Sequence, residues 1–72
     1  MKNQKNTFGT ILFNLRKEHN LSQQDLSLQL AVSQQCISKW ENDVAEPTLT
    51  WLWRLADFFD MSVDELIGRK DF

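Results

Sequence analysis

Apolar residues fall along this chain in short, helix-spaced groups, and most groups are opened by a small hydroxyl residue. Phe8, Leu12 and Leu15 share one face of a first helix. Ser22 precedes Gln23-Gln24-Asp25, so its hydroxyl can accept from the Asp25 amide while the Asp25 carboxylate reaches back to the cap. Leu21 and Leu26 flank that cap as a hydrophobic staple. The same arrangement recurs at Ser33, between Val32 and Ile37, and at Ser62, where Glu65 closes the box and Met61 and Leu66 form the staple. Thr48, after the single proline Pro47, is a fourth cap, and Asn6 or Thr7 a fifth. β-Branched residues nowhere alternate with polar ones for long. The pattern predicts five helices and no strands.

Between Ser22 and Ser33 there is room for only about two helical turns. Leu26 and Leu30 stack at i and i+4, Ala31-Val32 turns, and Ser33 restarts the helix. A helix, a tight turn and a second helix make a helix-turn-helix over residues 22–42, although two antiparallel helices packed at short range leave a similar pattern. In the fourth helix Leu49, Leu52, Trp53, Ala56 and Phe59 form the expected core stripe, with Leu55 at its edge. Trp51 and Phe58 lie beyond that edge and are either peripheral core or a partner surface. Phe13, away from the first helix's apolar face, raises the same question, and Ile67 and Phe72 extend a C-terminal contact. His19, near the end of helix 1, reads as a dipole partner or core-edge residue, and Cys36 as a small packing residue.

The third helix divides cleanly. Projected at about 100° per residue, Gln34, Ser38, Asn42, Gln35 and Lys39 fall in that order within an arc of about 140°. Cys36, Trp40 and Ile37 fill the opposite arc. None of the five polar residues is acidic, whereas an ordinary solvated face usually mixes in Glu. Gln can read an adenine edge by paired hydrogen bonds, so this face suits base edges and phosphates. Gln23, first in its own helix, sits where exposed amides and the positive dipole end favour a phosphate.

Length and charge change this picture in two ways. Seventy-two residues make one domain with a small core. The formal net charge is −2, which runs against nucleic-acid binding until it is divided. Residues 1–40 carry five basic and two acidic side chains, net +3, and residues 41–72 carry three basic and eight acidic, net −5. One end can face phosphates while the other repels them. The first six residues form a polar arm with no apolar stretch of the signal-peptide kind, and no apolar run is long enough to span a membrane, so a cytoplasmic protein is expected. One His, one Cys and scattered carboxylates supply no nucleophile–base pair and no metal cluster, so neither an enzyme nor a metal or cofactor is expected.

The ordered set Phe8-Gly9, Leu12, Leu15-Arg16, Leu21-Ser22-Gln23, Leu26, Val32-Ser33, Ile37-Ser38-Lys39-Trp40-Glu41, Pro47-Thr48, Leu55-Ala56 and Met61-Ser62-Val63-Asp64-Glu65-Leu66 resembles the phage-repressor and Cro type helix-turn-helix family, often called the xenobiotic-response-element family. The resemblance implies a compact, all-α, five-helix lambda-repressor-like domain that lays residues 33–42 in the major groove of double-stranded DNA. It implies base contacts from Gln34, Gln35 and Lys39 with Ser38 beside them, phosphate contacts from Gln23, Ser33 and Asn42, and an ion pair between Arg16 and Glu41. This chain departs from the family at three places. Ala31 stands where Gly is usual in the inter-helix turn. Asp43 stands where Gly is frequent after Glu41. The loop Asn42-Asp43-Val44-Ala45-Glu46 is acidic where the family's is usually basic, which weakens the expected phosphate grip.

Two bidentate Gln–adenine pairs supply about 2–6 kcal/mol of discrimination. Specific binders exceed their own non-specific binding by about 4–10 kcal/mol. With few basic residues near the reading face, duplication closes the gap, so a homodimer on a pseudo-palindromic operator is expected, with Trp51, Phe58 and Ile67 as candidate dimer surface. The expected function is a transcriptional regulator, a repressor in particular. A protein-interaction module on the same fold, antitoxin-like or anti-repressor in kind and using the acidic half, is the alternative.

Overall fold

The computed structural model describes residues 7–68. Among these residues five helices follow one another: α1 (Phe8–Glu18), α2 (Gln23–Leu30), α3 (Gln34–Glu41), α4 (Leu49–Phe59) and α5 (Val63–Leu66). Each begins at a hydroxyl cap in extended conformation. The Thr7, Ser22, Ser33, Thr48 and Ser62 side chains accept from the amides of Thr10, Asp25, Cys36, Trp51 and Glu65. The reciprocal arm of a capping box is present at Ser22 and Ser62, where Asp25 and Glu65 reach back. Ser33 has the cap without the reciprocal arm, because Cys36 occupies the third position and has no carboxylate. The Ser22 backbone and then its side chain hold the Asp25 carboxyl below its ordinary pKa.

Every helix contributes to one core, formed by Leu12, Leu26, Ile37, Trp40, Leu55, Ala56, Phe59 and Leu66. Burying a side chain such as Leu or Ile fully contributes about 1.5–3 kcal/mol. Trp40 is the centre of an aromatic group, with the Phe8 ring edge-on at 6.4 Å and the Trp51 ring at 5.7 Å. The α4 stripe differs from the sequence expectation. Leu55 is fully buried rather than at an edge, while Leu49 and Trp53 are each 56 % exposed. Apolar residues surround this helix, so the direction of its buried face is set by the helices it packs against, and that face centres on Leu55, Phe59, Leu52 and Ala56.

Among the described residues, four that are not glycine adopt left-handed conformation: Asn20, Ala31, Asp43 and Asp60. Ala31, at φ 58° and ψ 45°, ends α2 and makes the turn into α3. Its Cβ is strained there by about 1–2 kcal/mol, partly offset by the smaller freedom of Ala in the unfolded chain. Ala31→Gly should therefore stabilise the fold by about 1 kcal/mol, seen as a thermal midpoint several degrees higher. A lowered midpoint would contradict this assignment of strain.

α1 lies unusually close to the end of α3. A Cβ added at Gly9 would stand 2.5 Å from the Glu41 carbonyl oxygen and 2.7 Å from that of Trp40. Glycine is required here by space, since it sits inside α1 with ordinary helical neighbours.

Candidate nucleic-acid interface

α3 turns Ile37 and Trp40 into the core and leaves Gln34, Gln35, Lys39 and Asn42 exposed, with Ser38 half-buried between them. Gln34 and Gln35 occupy its first turn. The Ser33 hydroxyl accepts from the Cys36 amide at 3.1 Å, which leaves its own hydrogen free to donate outward. Asn42 closes the helix, and its Nδ2 donates to the Ser38 carbonyl at 2.9 Å, so this side chain folds back along α3. Cys36 is half-buried on the far side.

Glu41 is the acidic residue that the helical projection places next to Gln34. Its carboxylate is turned inward, away from the polar arc. Arg16 donates to it twice, Nε to Oε2 at 2.6 Å and Nη2 to Oε1 at 3.0 Å, and the pair is nearly inaccessible, with side chains 8 % and 5 % exposed. The third guanidinium nitrogen, Nη1, donates to the Leu21 carbonyl at 2.9 Å. Hydrogen bonding to Glu41 raises the already high Arg16 pKa further against the opposing effect of burial. Gln23 joins this network, its Nε2 donating to Glu41 Oε1 at 3.0 Å. One of the two Gln23 side-chain hydrogens is thus committed inside the protein. Through one carboxylate, α1, the α1–α2 turn and the first residue of α2 are all fastened to the end of α3.

Gln23 then borders a shallow groove of about 320 Å³ together with Gln34, Gln35 and Ser38. A second groove, of about 510 Å³, runs between α1 and α2 and is lined by Lys17, Asn20, Ser22, Gln23 and Gln34 among others. The first residues of α2 and of α3 therefore share one continuous polar surface.

Asp43 is a residue whose part sequence reasoning missed. Its Oδ1 accepts from the Gly9 amide at 3.0 Å and its Oδ2 from the Thr7 hydroxyl at 2.8 Å. A carboxylate is well placed at the N-terminus of α1, where unpaired amides and the dipole favour negative charge. The acidic loop after α3 thus directs one of its carboxylates into the protein's own helix, leaving Glu46 exposed. The sequence signals only the turn, since Asp tolerates the left-handed conformation that the family's frequent Gly suggests at this position, and not the bonds to α1.

The candidate dimer residues are placed differently from one another. Trp51 is half-buried, packed on Trp40 with the Arg54 guanidinium 5.0 Å from its ring centre. Phe58 is 37 % exposed and meets Phe59 edge-on, and Ile67 is half-buried. Phe72 and the arm over residues 1–6 lie outside the described residues. His19 caps the end of α1, its ring 5.1 Å from that of Phe59. Among the described residues no group of His, Cys, Asp or Glu could hold a metal ion, and no helix is long and apolar enough to cross a membrane.

A family model described as helix-turn-helix matches residues 12–66. The chain is 38 % identical over 64 residues to the HTH-type transcriptional activator BcrR of Enterococcus faecalis, covering 89 % of this chain and 31 % of that protein. It is 37 % identical to the HTH-type transcriptional regulator AnsR of Bacillus subtilis, covering 82 % of this chain and 51 % of that protein. It is 34 % identical to the cryptic phage CTXphi transcriptional repressor RstR of Vibrio cholerae, covering 81 % of this chain and 52 % of that protein. The chain thus spans about a third to a half of the length of these relatives. Five helices on one core, a tight α2–α3 turn and the matched span agree, and the chain belongs to the helix-turn-helix family, of the phage-repressor and Cro type.

Proposed function

We propose that this chain is a sequence-specific double-stranded DNA-binding transcriptional regulator that lays α3 in the major groove. The observation that carries this is the division of α3. Its uncharged and basic polar residues form one exposed arc, and its single acidic residue, Glu41, is withdrawn into an ion pair. Gln34, Gln35 and Lys39 read base edges, with Ser38 beside them. Ser33, Gln23 and Asn42 hold phosphates and fix the register. Residues 1–72 act as a single DNA-binding domain, with residues 1–6 as its polar N-terminal arm.

The protein works as a homodimer, because two Gln–adenine pairs fall short of the discrimination specific binders achieve. The half-sites then lie about 34–36 Å apart or at a multiple of that. One named relative is an activator and another a repressor, and repression is favoured here by analogy with the phage protein. In vitro selection of bound DNA, with sedimentation of the free and bound protein, tests the half-site sequence, the spacing and the subunit count together. Gln35→Ala should remove about 1–3 kcal/mol of base discrimination while leaving non-specific affinity nearly unchanged, measured by anisotropy on selected and scrambled duplexes. Equal loss on both duplexes would sink the direct-readout role.

The alternative, a protein-interaction module on the same fold, draws on the exposed Leu49 and Trp53, which sit one turn apart on α4, and on the acidic half of the chain. Co-purification with a basic partner and no salt-dependent DNA retention would favour it.

A further inference from the structure

We propose that Lys17 is a DNA-backbone contact delivered from α1, gripping phosphates on the side of α3 opposite Lys39. The inference rests on the DNA-reading role of α3 given above. Around α3 the polar arc runs from Gln34 at one edge to Lys39 at the other. The Gln34 edge opens onto the groove that Lys17 and Asn20 line from α1 and its end. A basic side chain therefore stands at each border of the arc. A helix seated in the major groove, about 12 Å wide, has a phosphate backbone on either side, so Lys17 faces the backbone that borders the Gln34 edge while Lys39, at the far edge, is left to the bases.

Lys17 suits this role where its neighbour does not. Arg16 also borders this groove, but it is buried and three of its five N–H donors are committed to Glu41 and Leu21. Lys17 is exposed and forms no ion pair among the described residues. Its Nζ lies 5.6 Å from the centre of the Phe13 ring, a contact that supports the side chain without neutralising its charge. The recognised chemistry is the phosphodiester backbone, so the contact positions the protein and carries no sequence information.

The test is an anisotropy titration of the full chain, on its selected duplex and on an unrelated one, over a series of salt concentrations. Lys17→Met keeps the apolar stem beside Phe13 and removes the charge. The slope of log affinity against log salt should fall in magnitude by about 0.9 for each subunit bound, about 1.8 for the homodimer, with weaker binding to both duplexes and unchanged base preference. Lys17→Arg should retain the wild-type slope. Arg54→Met removes a cation stacked on Trp51, away from the α1–α2 groove, and should leave the slope unchanged. Thermal melts followed by circular dichroism verify that each variant is folded. A wild-type slope in Lys17→Met, or an equal drop in Arg54→Met, overturns the assignment to Lys17 alone. A wild-type chain that retains no DNA overturns it together with the function on which it rests.

Discussion

Glu41→Ala is expected to destabilise the fold by about 3–5 kcal/mol, because it leaves the Arg16 guanidinium buried without its counter-charge. For a domain of this size that approaches the whole margin of stability, at roughly 0.05–0.15 kcal/mol per residue. The removed carboxylate accepts from Arg16 Nε and Nη2 and from Gln23 Nε2, so three donors lose a partner at once. Urea denaturation should show a lower midpoint with an unchanged slope. Replacing both partners, Arg16→Met with Glu41→Leu, should cost much less than the sum of the two single changes, since no unpaired charge remains. A loss below about 1 kcal/mol for Glu41→Ala would mean that the pair is open to water in solution, as exposed pairs are.

Gly9→Ala is the second large effect, and its sign is the informative part. Inside a helix Ala is favoured over Gly by about 1 kcal/mol, so the change would help if α1 stood alone. Here the added Cβ meets two backbone carbonyl oxygens at 2.5 and 2.7 Å and Asp43 Oδ1 at 2.8 Å, and helix backbone cannot turn aside as a flexible side chain can. Relief requires α1 to lift from α3, which loosens the Phe8–Trp40 contact and the bonds to Asp43. A net loss of about 2–3 kcal/mol is expected from such overpacking. At about 4–8 °C per kcal/mol, the thermal midpoint should drop by roughly 10 °C or more. A neutral or raised midpoint would show that the two helices separate at little cost.

Much of the fold was legible because its signals are local. A hydroxyl residue three positions before the amide it caps can be read from the chain, and Ser22, Ser33, Thr48 and Ser62 all begin helices. The polar arc of α3 was legible for the same reason, since one helix's periodicity is contained within that helix. What was not legible depends on neighbours. The buried face of α4 is rotated by about 50° from the stripe read in the sequence, towards Leu55. With Leu49, Trp51, Trp53 and Phe58 also on that helix, periodicity alone cannot choose a direction. The bond from Gln23 to Glu41 and those from Thr7 and Gly9 to Asp43 join residues 18 to 36 positions apart, and no spacing rule reaches that far. The Arg16–Glu41 pair was inferred through family resemblance, not from the spacing of the two residues.

The left-handed turns bear on how this domain can change over generations. Most substitutions cost stability, and a small domain tolerates few before the unfolded fraction becomes limiting. A chain that ends α2 on a left-handed Ala31 holds unused slack in the α2–α3 turn, outside the polar arc of α3. One change there to Gly would offset a moderately costly substitution at Gln34, Gln35 or Lys39. New operator preferences could then be explored without altering the core. The strain at Ala31, a small defect in a single sequence, is thereby a margin of evolvability for the lineage.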